Sequence, residues 1–554
     1  MSANRRYAVA LFVAMAIILG VSIAAFTAFR GSPYESGVLI PPGPFHGVHG
    51  TNFGPDGTLY AGDIMGMTVH GVDVKTGRVW DVVGPPEGMA DDVAIAPAGT
   101  PHAGTLVWSG VAVGRLYART PGGPVRLLAA DLPAVNAVVF APDGRLFVAQ
   151  MAPGTNVLWE FDLTDPAQGG KPPQRIWDET GGLNSFVVRD NALYGPQGEK
   201  GTVVRFDLVT HEVKVLADGL KWPTGVKMDS KGRLFAVDLE AGTVHRIDPD
   251  KGAAPAIATL EPGLDNLTVG PDDKLYVSSI TRNGIFRIDP DSGAETAVVR
   301  GALVAPGGIA YAGSGDGARL YVADLFCLHA VDPRSGAVST ILPMSQATLY
   351  PSNVTVHGDR LVLTSWFTGR LEVRDRNTGA LLRAEKDLAA PRDAVELEDG
   401  SLIVAETGAH RLLRIAADGS RTPLAARAAE PVGLALGDGV LFVTDAWSGT
   451  LSRVDLKTGQ GSVVADGFGR PEGVALRTDG QVLVVDSLRQ TVTAVDPASG
   501  KPTSIATMVP VGLVAPAPLD PAWIHNGVAV GPDGTIYLPS DVRAALYTLT
   551  PAKR

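Results

Sequence analysis

Oxygen-bearing side chains recur just ahead of short apolar segments at ten of twelve equivalent places in this chain. In the first half they are Asn52, Asp92, Asn136, Asn184, Thr224 and Asn266, the last preceded by Asp265. In the second half the same position holds Gly308, Asn353, Asp393, Gly433, Glu472 and Asn526. Carboxylates and amide carbonyls gathered around an axis suit a hard cation such as Ca²⁺, which takes six to eight oxygen ligands. His46 and His49 precede the first segment, and His525 adjoins Asn526. Imidazole titrates near neutrality, so a histidine beside a cation could act as a general base. His525 and Asp393 are the catalytic candidates on this reading. A second reading stays open at every position, because Asn and Asp before a strand also bond turn backbone.

The elements that would position these groups are short strands in a repeat of about 43 residues. Pro55-Asp56-Gly57 recurs as Pro142-Asp143-Gly144, Pro271-Asp272-Asp273 and Pro532-Asp533-Gly534, with weaker copies near 229, 399 and 479. Each unit has one grammar: an alternating segment, an Asp/Gly turn, a strand such as Leu234-Phe235-Ala236-Val237-Asp238, and two more strands. Period-two alternation with such turns marks antiparallel hairpins. Four strands per unit make a propeller blade. Twelve units start near 50, 87, 134, 183, 223, 264, 306, 350, 390, 431, 471 and 521. Propellers usually carry four to eight blades. The fold class is therefore all-β: two tandem six-bladed β-propellers, over 50–305 and 306–554. The last unit ends after its third strand (Leu546–Leu549). Residues 37–41 (GVLIP), within a 31–49 stretch that otherwise reads as linker, are either the missing fourth strand or an extended connection.

Composition narrows the function. The net charge is −11, and Lys and Arg total 47 against 58 Asp and Glu. Such a balance argues against nucleic acid, which needs basic surface to replace counterions. Hydrophobic residues at 45% supply large cores and argue against disorder. Cys327 is the single cysteine, so no intrachain disulfide or cysteine zinc site can form. Residues 8–29 are an uncharged apolar run flanked by Arg5, Arg6 and Arg30. As a helix this run spans the roughly 30 Å hydrocarbon core. It reads as a signal anchor in 1–30, with the arginines cytoplasmic and the bulk of the chain outside the membrane. Secretion after cleavage near Ala25 or Ala28 is the alternative. No Gly-x-Ser-x-Gly elbow, Walker loop, dinucleotide fingerprint or His-Glu-x-x-His is present. The tryptophans fall about one per blade and read as packing. Trp222, Trp366 and Trp447 fall near channel mouths, where they could shape an apolar pocket.

These residues resemble the six-bladed calcium-dependent propeller superfamily. That group includes the gluconolactonase and senescence-marker-protein (regucalcin) family, the paraoxonases and strictosidine-synthase-like proteins. Leu-Phe-Ala-Val-Asp with Arg246-Ile247-Asp248-Pro249 also resembles NHL-type repeats. Asp265-Asn266-Leu267 is similar to the Asp-Asn that helps hold calcium in paraoxonases. Glu472, Asn353 and Asp393 have the cyclic spacing of the gluconolactonase Glu/Asn/Asp metal set, circularly permuted along the chain. The resemblance implies a membrane-anchored, calcium-dependent hydrolase of lactones or related esters. In the second propeller Glu472, Asn353 and Asp393 would be ligands, with Asn526 auxiliary. In the first they would be Asn136, Asn184, Asp265 and Asn266. The alternative is a non-catalytic scaffold or sensor that presents its loops to a protein or carbohydrate.

Overall fold

The computed structural model describes residues 33–552, except 152–154, 165–169, 253, 346–348, 438, 518 and 520–522. The apolar run 8–29 lies outside the described residues. Among those described, no helix is long and apolar enough to cross a membrane.

Among the described residues, forty-eight strands form twelve four-stranded antiparallel sheets. We number these blades one to twelve in chain order. The innermost strand of blade one (Val48–Phe53) contacts those of blade two (Val93–Ile95) and blade six (Leu264–Val269). The innermost strand of blade seven (Ile309–Ala312) contacts those of blade eight (Asn353–His357) and blade twelve (Ala529–Val530). Two closed circuits of six result, consistent with tandem propellers.

Blade twelve is completed from the other end of the chain. Its sheet order is Tyr34–Ile40, Ala545–Pro551, Ile536–Ser540 and Ala529–Val530. Tyr34 pairs with Pro551 and Val38 with Tyr547. The segment 37–41 therefore supplies the fourth strand, and the second ring holds both ends of the described chain.

Blade five shows why alternation builds this fold. All five residues of Leu234–Asp238 are buried, because each blade is covered on both faces by its neighbours. Leu234 and Ala236 join a core with Val203 and Leu216 of blade four. Phe235 and Val237 join another with Leu267, Leu275 and Phe286 of blade six. One strand thus supports two inter-blade cores, and each large apolar side chain so buried stabilises by about 1.5–3 kcal/mol. Where the turn motif has Asp273 instead of Gly, that residue adopts φ +55 and accepts bonds from Ser230 N (3.2 Å) and Oγ (2.6 Å) of blade five. The side-chain ties hold a backbone conformation that otherwise favours glycine.

A second device fixes the mouths, meaning the ring ends where the innermost strands begin. A carboxylate ending the second strand accepts backbone N–H bonds from the segment that enters the innermost strand. Asp238 takes Lys221 N (2.7 Å) and Trp222 N (3.1 Å). Asp445 takes Ala429 N (2.6 Å) and Glu430 N (3.0 Å). Asp486 takes Gly469 N (2.6 Å) and Arg470 N (2.9 Å). These are charge-assisted bonds, stronger than neutral ones. They hold mouth loops that the strand ladder does not reach.

The two rings share an apolar seam. Ile64, Met65, Met67, Met89 and Ile280 of the first pack with Phe326, Cys327, Met344, Trp523 and Ile524 of the second. Met344 N donates across the seam to Thr281 Oγ1 at 3.1 Å.

Candidate functional site

In the second ring the four expected ligands form two pairs on adjacent blades, Asn353 with Asp393 and Glu472 with Asn526, and each also bonds to backbone. Asn353 Oδ1 accepts Val354 N (2.8 Å). Asp393 Oδ1 accepts Ala394 N (2.7 Å), Oδ2 accepts Leu434 N of the next blade (2.7 Å), and the Asn353 amide also bonds it. Burial pushes the Asp393 carboxyl up to about 8 against those three bonds. Glu472 Oε1 accepts Ser487 Oγ (2.5 Å), and Oε2 accepts Asn526 N (2.9 Å) and Nδ2 (3.0 Å). Asn526 Oδ1 accepts Gly512 N (3.3 Å). Asp541, beside this group, is pushed up to about 7 by burial, with the Glu472 charge adding.

His525 is buried with Nδ1 unpartnered, and burial with the nearby Arg392 charge lowers it to about 3. It stays neutral at ordinary pH and is a weak base there. The second-ring set would make a divalent cation compete with donors the chain already supplies. Its oxygens already accept N–H and O–H donors, and Arg470 Nε stands 3.6 Å from Glu472 Oε1.

The first ring repeats part of this pattern. Asp92 Oδ1 accepts Val93 N (2.9 Å) and Asn266 Nδ2 (3.3 Å), while Oδ2 accepts Val138 N (3.1 Å). Asn266 Oδ1 accepts Leu267 N (2.6 Å), and Asn184 Oδ1 accepts Ser185 N (2.8 Å). The shared rule is that the side chain caps the next residue's N–H and leans on the neighbouring blade. Glycine appears where the neighbour already fills the space. A Cβ on Gly308 would lie 1.9 Å from Asn353 Oδ1, and one on Gly50 would lie 2.1 Å from Asp92 Oδ1. This corrects the expected position of blade one. Gly50 holds the mouth place, and Asn52 lies further along its strand, opposite Tyr60.

What sets the first mouth apart is charge and an orphaned oxygen. His49 Nδ1 lies 3.3 Å from Asp91 Oδ1 and 3.6 Å from Asp265 Oδ2, and all three are largely buried. Burial works against charged His49, but the Asp265 bond and the Asp265 and Asp91 charges carry its pKa upward. Burial pushes Asp91 up to about 7, with Asp265 and Asp92 adding to it. Burial also raises Asp92 to about 6 against Lys227, and lowers Lys227 to about 8 against Asp92. Lys227 Nζ donates to Phe186 O at 2.7 Å. Asn136 Oδ1 and His49 Nε2 are buried and have no hydrogen-bond partner. From the second ring, Phe326 meets the His49 ring at 5.7 Å and Tyr350 at 6.0 Å.

Among the described residues no three His, Cys, Asp or Glu side chains are placed to hold a metal together. A cation in the first mouth would depend on amide oxygens. Asn136 fits that demand through its free Oδ1; Asn184, Asp265 and Asn266 carry further oxygens. Asp91, His49 and Lys227 belong to this cluster, and composition around the axis did not single them out as a group. The doublet Asp91-Asp92 was the available signal.

The second mouth differs in its walls. Arg392 is buried, and its guanidinium lies 4.7 Å from the Trp366 ring centre. Trp366 Nε1 donates to Trp523 O at 2.8 Å. An open recess of about 530 Å³ is lined by Arg392, Thr407, Gly408, His410, Glu430 and Trp447. Trp447 is 81% exposed, and Phe367 and Leu488 on other mouth loops are 66% and 71% exposed.

The family model described as outer membrane protein assembly factor BamB matches residues 240–464. That stretch, less than half of the chain, runs from blade five to blade ten and crosses the junction between the rings. The match is therefore to the blade repeat. No curated protein matches the chain in sequence. Two crystal structures of the extracellular domain of BT4673 from B. thetaiotaomicron align with it. They describe the parent as a one component and as a hybrid two component system. Each is 12% identical with a TM-score of 0.31; they cover 92% and 91% of this chain, and the chain covers 76% and 75% of theirs.

Proposed function

We propose that this chain is a membrane-tethered extracytoplasmic propeller that recognises a ligand or partner at its mouth loops. The observation that supports this most is the internal hydrogen bonding of Glu472, Asn526, Asn353 and Asp393, each of which already accepts donors of the chain. Such a network ties adjacent blades and leaves the second mouth to its aromatic and charged loops. The similarity to repeats of an outer membrane protein assembly factor agrees with a binding module, since propellers commonly act as scaffolds. The experiment is a screen of lactones and aryl esters with and without chelator. Recognition without catalysis predicts no turnover, and a Glu472→Gln variant that melts lower by the same amount with or without Ca²⁺. Chelator-sensitive hydrolysis abolished by Glu472→Gln would overturn it.

A second reading, a calcium-dependent lactonase or esterase, attaches to the first mouth and is favoured by the unpartnered Asn136 Oδ1. Asn136, Asn184, Asp265 and Asn266 would hold the ion. Bound Ca²⁺ supplies electrophilic polarisation of an ester carbonyl. His49, set between Asp91 and Asp265, is the side chain that could take or give a proton at Nε2. Phe326 and Tyr350 would limit water from the second-ring side. Calorimetry separates the readings: this one expects Ca²⁺ binding weakened at least about tenfold by Asp265→Asn and by Asn136→Ala. No Ca²⁺ binding by the unmodified chain would remove it.

A further inference from the structure

We propose that the recess beside Trp447 is a carbohydrate subsite that seats a pyranose ring. It rests on the second mouth being a recognition face.

Trp447 is the apex of the turn Asp445–Gly449. Asp445 Oδ1 accepts Ser448 N (2.9 Å), Gly449 N donates to Asp445 O (3.0 Å), and Gly449 has φ +64. Blade five builds the same turn. Asp238 Oδ1 accepts Ala241 N (3.1 Å), Gly242 N donates to Asp238 O (2.9 Å), and Gly242 also has φ +64. There the apex residue is Glu240. The turn therefore needs no aromatic residue, and the indole at 81% exposure supports no core. A large apolar face kept in water at a fixed place points to something that covers it.

The other walls say what. His410, held at φ +55, donates from Nδ1 to Ala429 O, which leaves Nε2 for a ligand hydroxyl. Thr407 Oγ1 donates to Pro431 O, and its remaining lone pairs can accept. Glu430, 3.6 Å from Arg470, and Arg392, whose guanidinium packs on the Trp366 ring, add paired charges of both signs to the wall. A pyranose has one C–H face suited to an indole and a rim of hydroxyls that both donate and accept. That matches an aromatic wall beside mixed donors and acceptors in a recess of about 530 Å³. An apolar ligand would desolvate His410 without replacing its water bonds. The recess with its one indole is the size of a sugar ring's seat, and a protein partner would have to engage Phe367 and Leu488 on the other mouth loops as well.

The test is calorimetric titration of the full chain in detergent with cellohexaose, xylohexaose, mannohexaose, chitohexaose and maltohexaose. At least one should bind. Trp447→Ala should weaken that binding about tenfold, while Trp447→Phe stays within about threefold because a flat apolar face remains. Glu430→Gln should weaken it, and Glu240→Ala at the equivalent turn should leave it unchanged. Equal melting temperatures would show that Trp447→Ala leaves the fold intact. Absence of binding by all five probes, or binding indifferent to Trp447→Ala, overturns the subsite. Neither result bears on chelator-sensitive hydrolysis, so the broader recognition reading fails or stands separately.

Discussion

Replacing Asp238 by Ala should lower the melting temperature by roughly 6–8 °C. The carboxylate is buried and accepts three backbone N–H groups, from Lys221, Trp222 and Ala241. A hydrogen bond to a charged group contributes about 1.5–3 kcal/mol. The three amides lie in part-buried segments that water can partly re-enter, so roughly 1 kcal/mol survives as a net loss for each. That gives about 3 kcal/mol, which at about 2–2.5 °C per kcal/mol for a unit of roughly 250 residues is about 6–8 °C. Asp238→Asn keeps an acceptor without the charge and should lose about half as much. Differential scanning calorimetry reads both. Asp248 is the control, because it also accepts backbone N–H groups, from Asp250 and Lys251, but in open water. Asp248→Ala should shift melting far less. Were Asp238→Ala to melt within about 1 °C of the unmodified chain, or Asp248→Ala to match it, the carboxylate latch would be refuted as a source of stability.

Three further outcomes follow from the same geometry. Asp91 is raised to about 7, so the folded chain holds a proton that the unfolded chain releases near 4. Its contribution is complete below about 4 and disappears as pH rises through about 7. Urea midpoints should fall over that window, and Asp91→Asn should flatten the fall; a parallel pH profile in the variant would contradict the assignment. Deleting residues 33–41 removes the outer strand of blade twelve and should expose 529–551 to limited proteolysis while blades two to five stay protected; uniform protection would count against ring closure by that strand. Phe235→Ala, between blades five and six, should cost about 3–5 kcal/mol in urea unfolding. A loss below about 1 kcal/mol would mean that this inter-blade core can collapse around the gap.

Much of the architecture could be read from the chain because it is periodic. Apolar alternation of the Leu234–Asp238 kind needs two covered faces, and only a blade stacked between blades provides them. The repeat length therefore carried strand number, blade number and the division into two sixes. The missing strand of the last blade was visible as a deficit after Leu549. Its partner, Tyr34–Ile40, stayed ambiguous because a strand paired across the whole chain has no local turn signal. The oxygen-bearing residues stand within a residue of one another's strand place from blade to blade, Asn52 excepted. There a glycine holds the mouth because Asp92 reaches into the space a side chain would need.

What sequence settled alone was the set of groups available at each mouth, since a fixed period delivers the same strand position from every blade. What it could not settle was where their lone pairs go. Asn353, Asp393, Glu472 and Asn526 read as ligands in one dimension. In three dimensions backbone N–H groups and neighbouring side chains already bond them. The cluster of His49, Asp91 and Asp265 comes together only through ring closure, and the rings' shared seam sets Phe326 against it. Residue type follows the local period, whereas hydrogen-bond saturation and burial depend on which distant strands meet, and only the folded chain decides that.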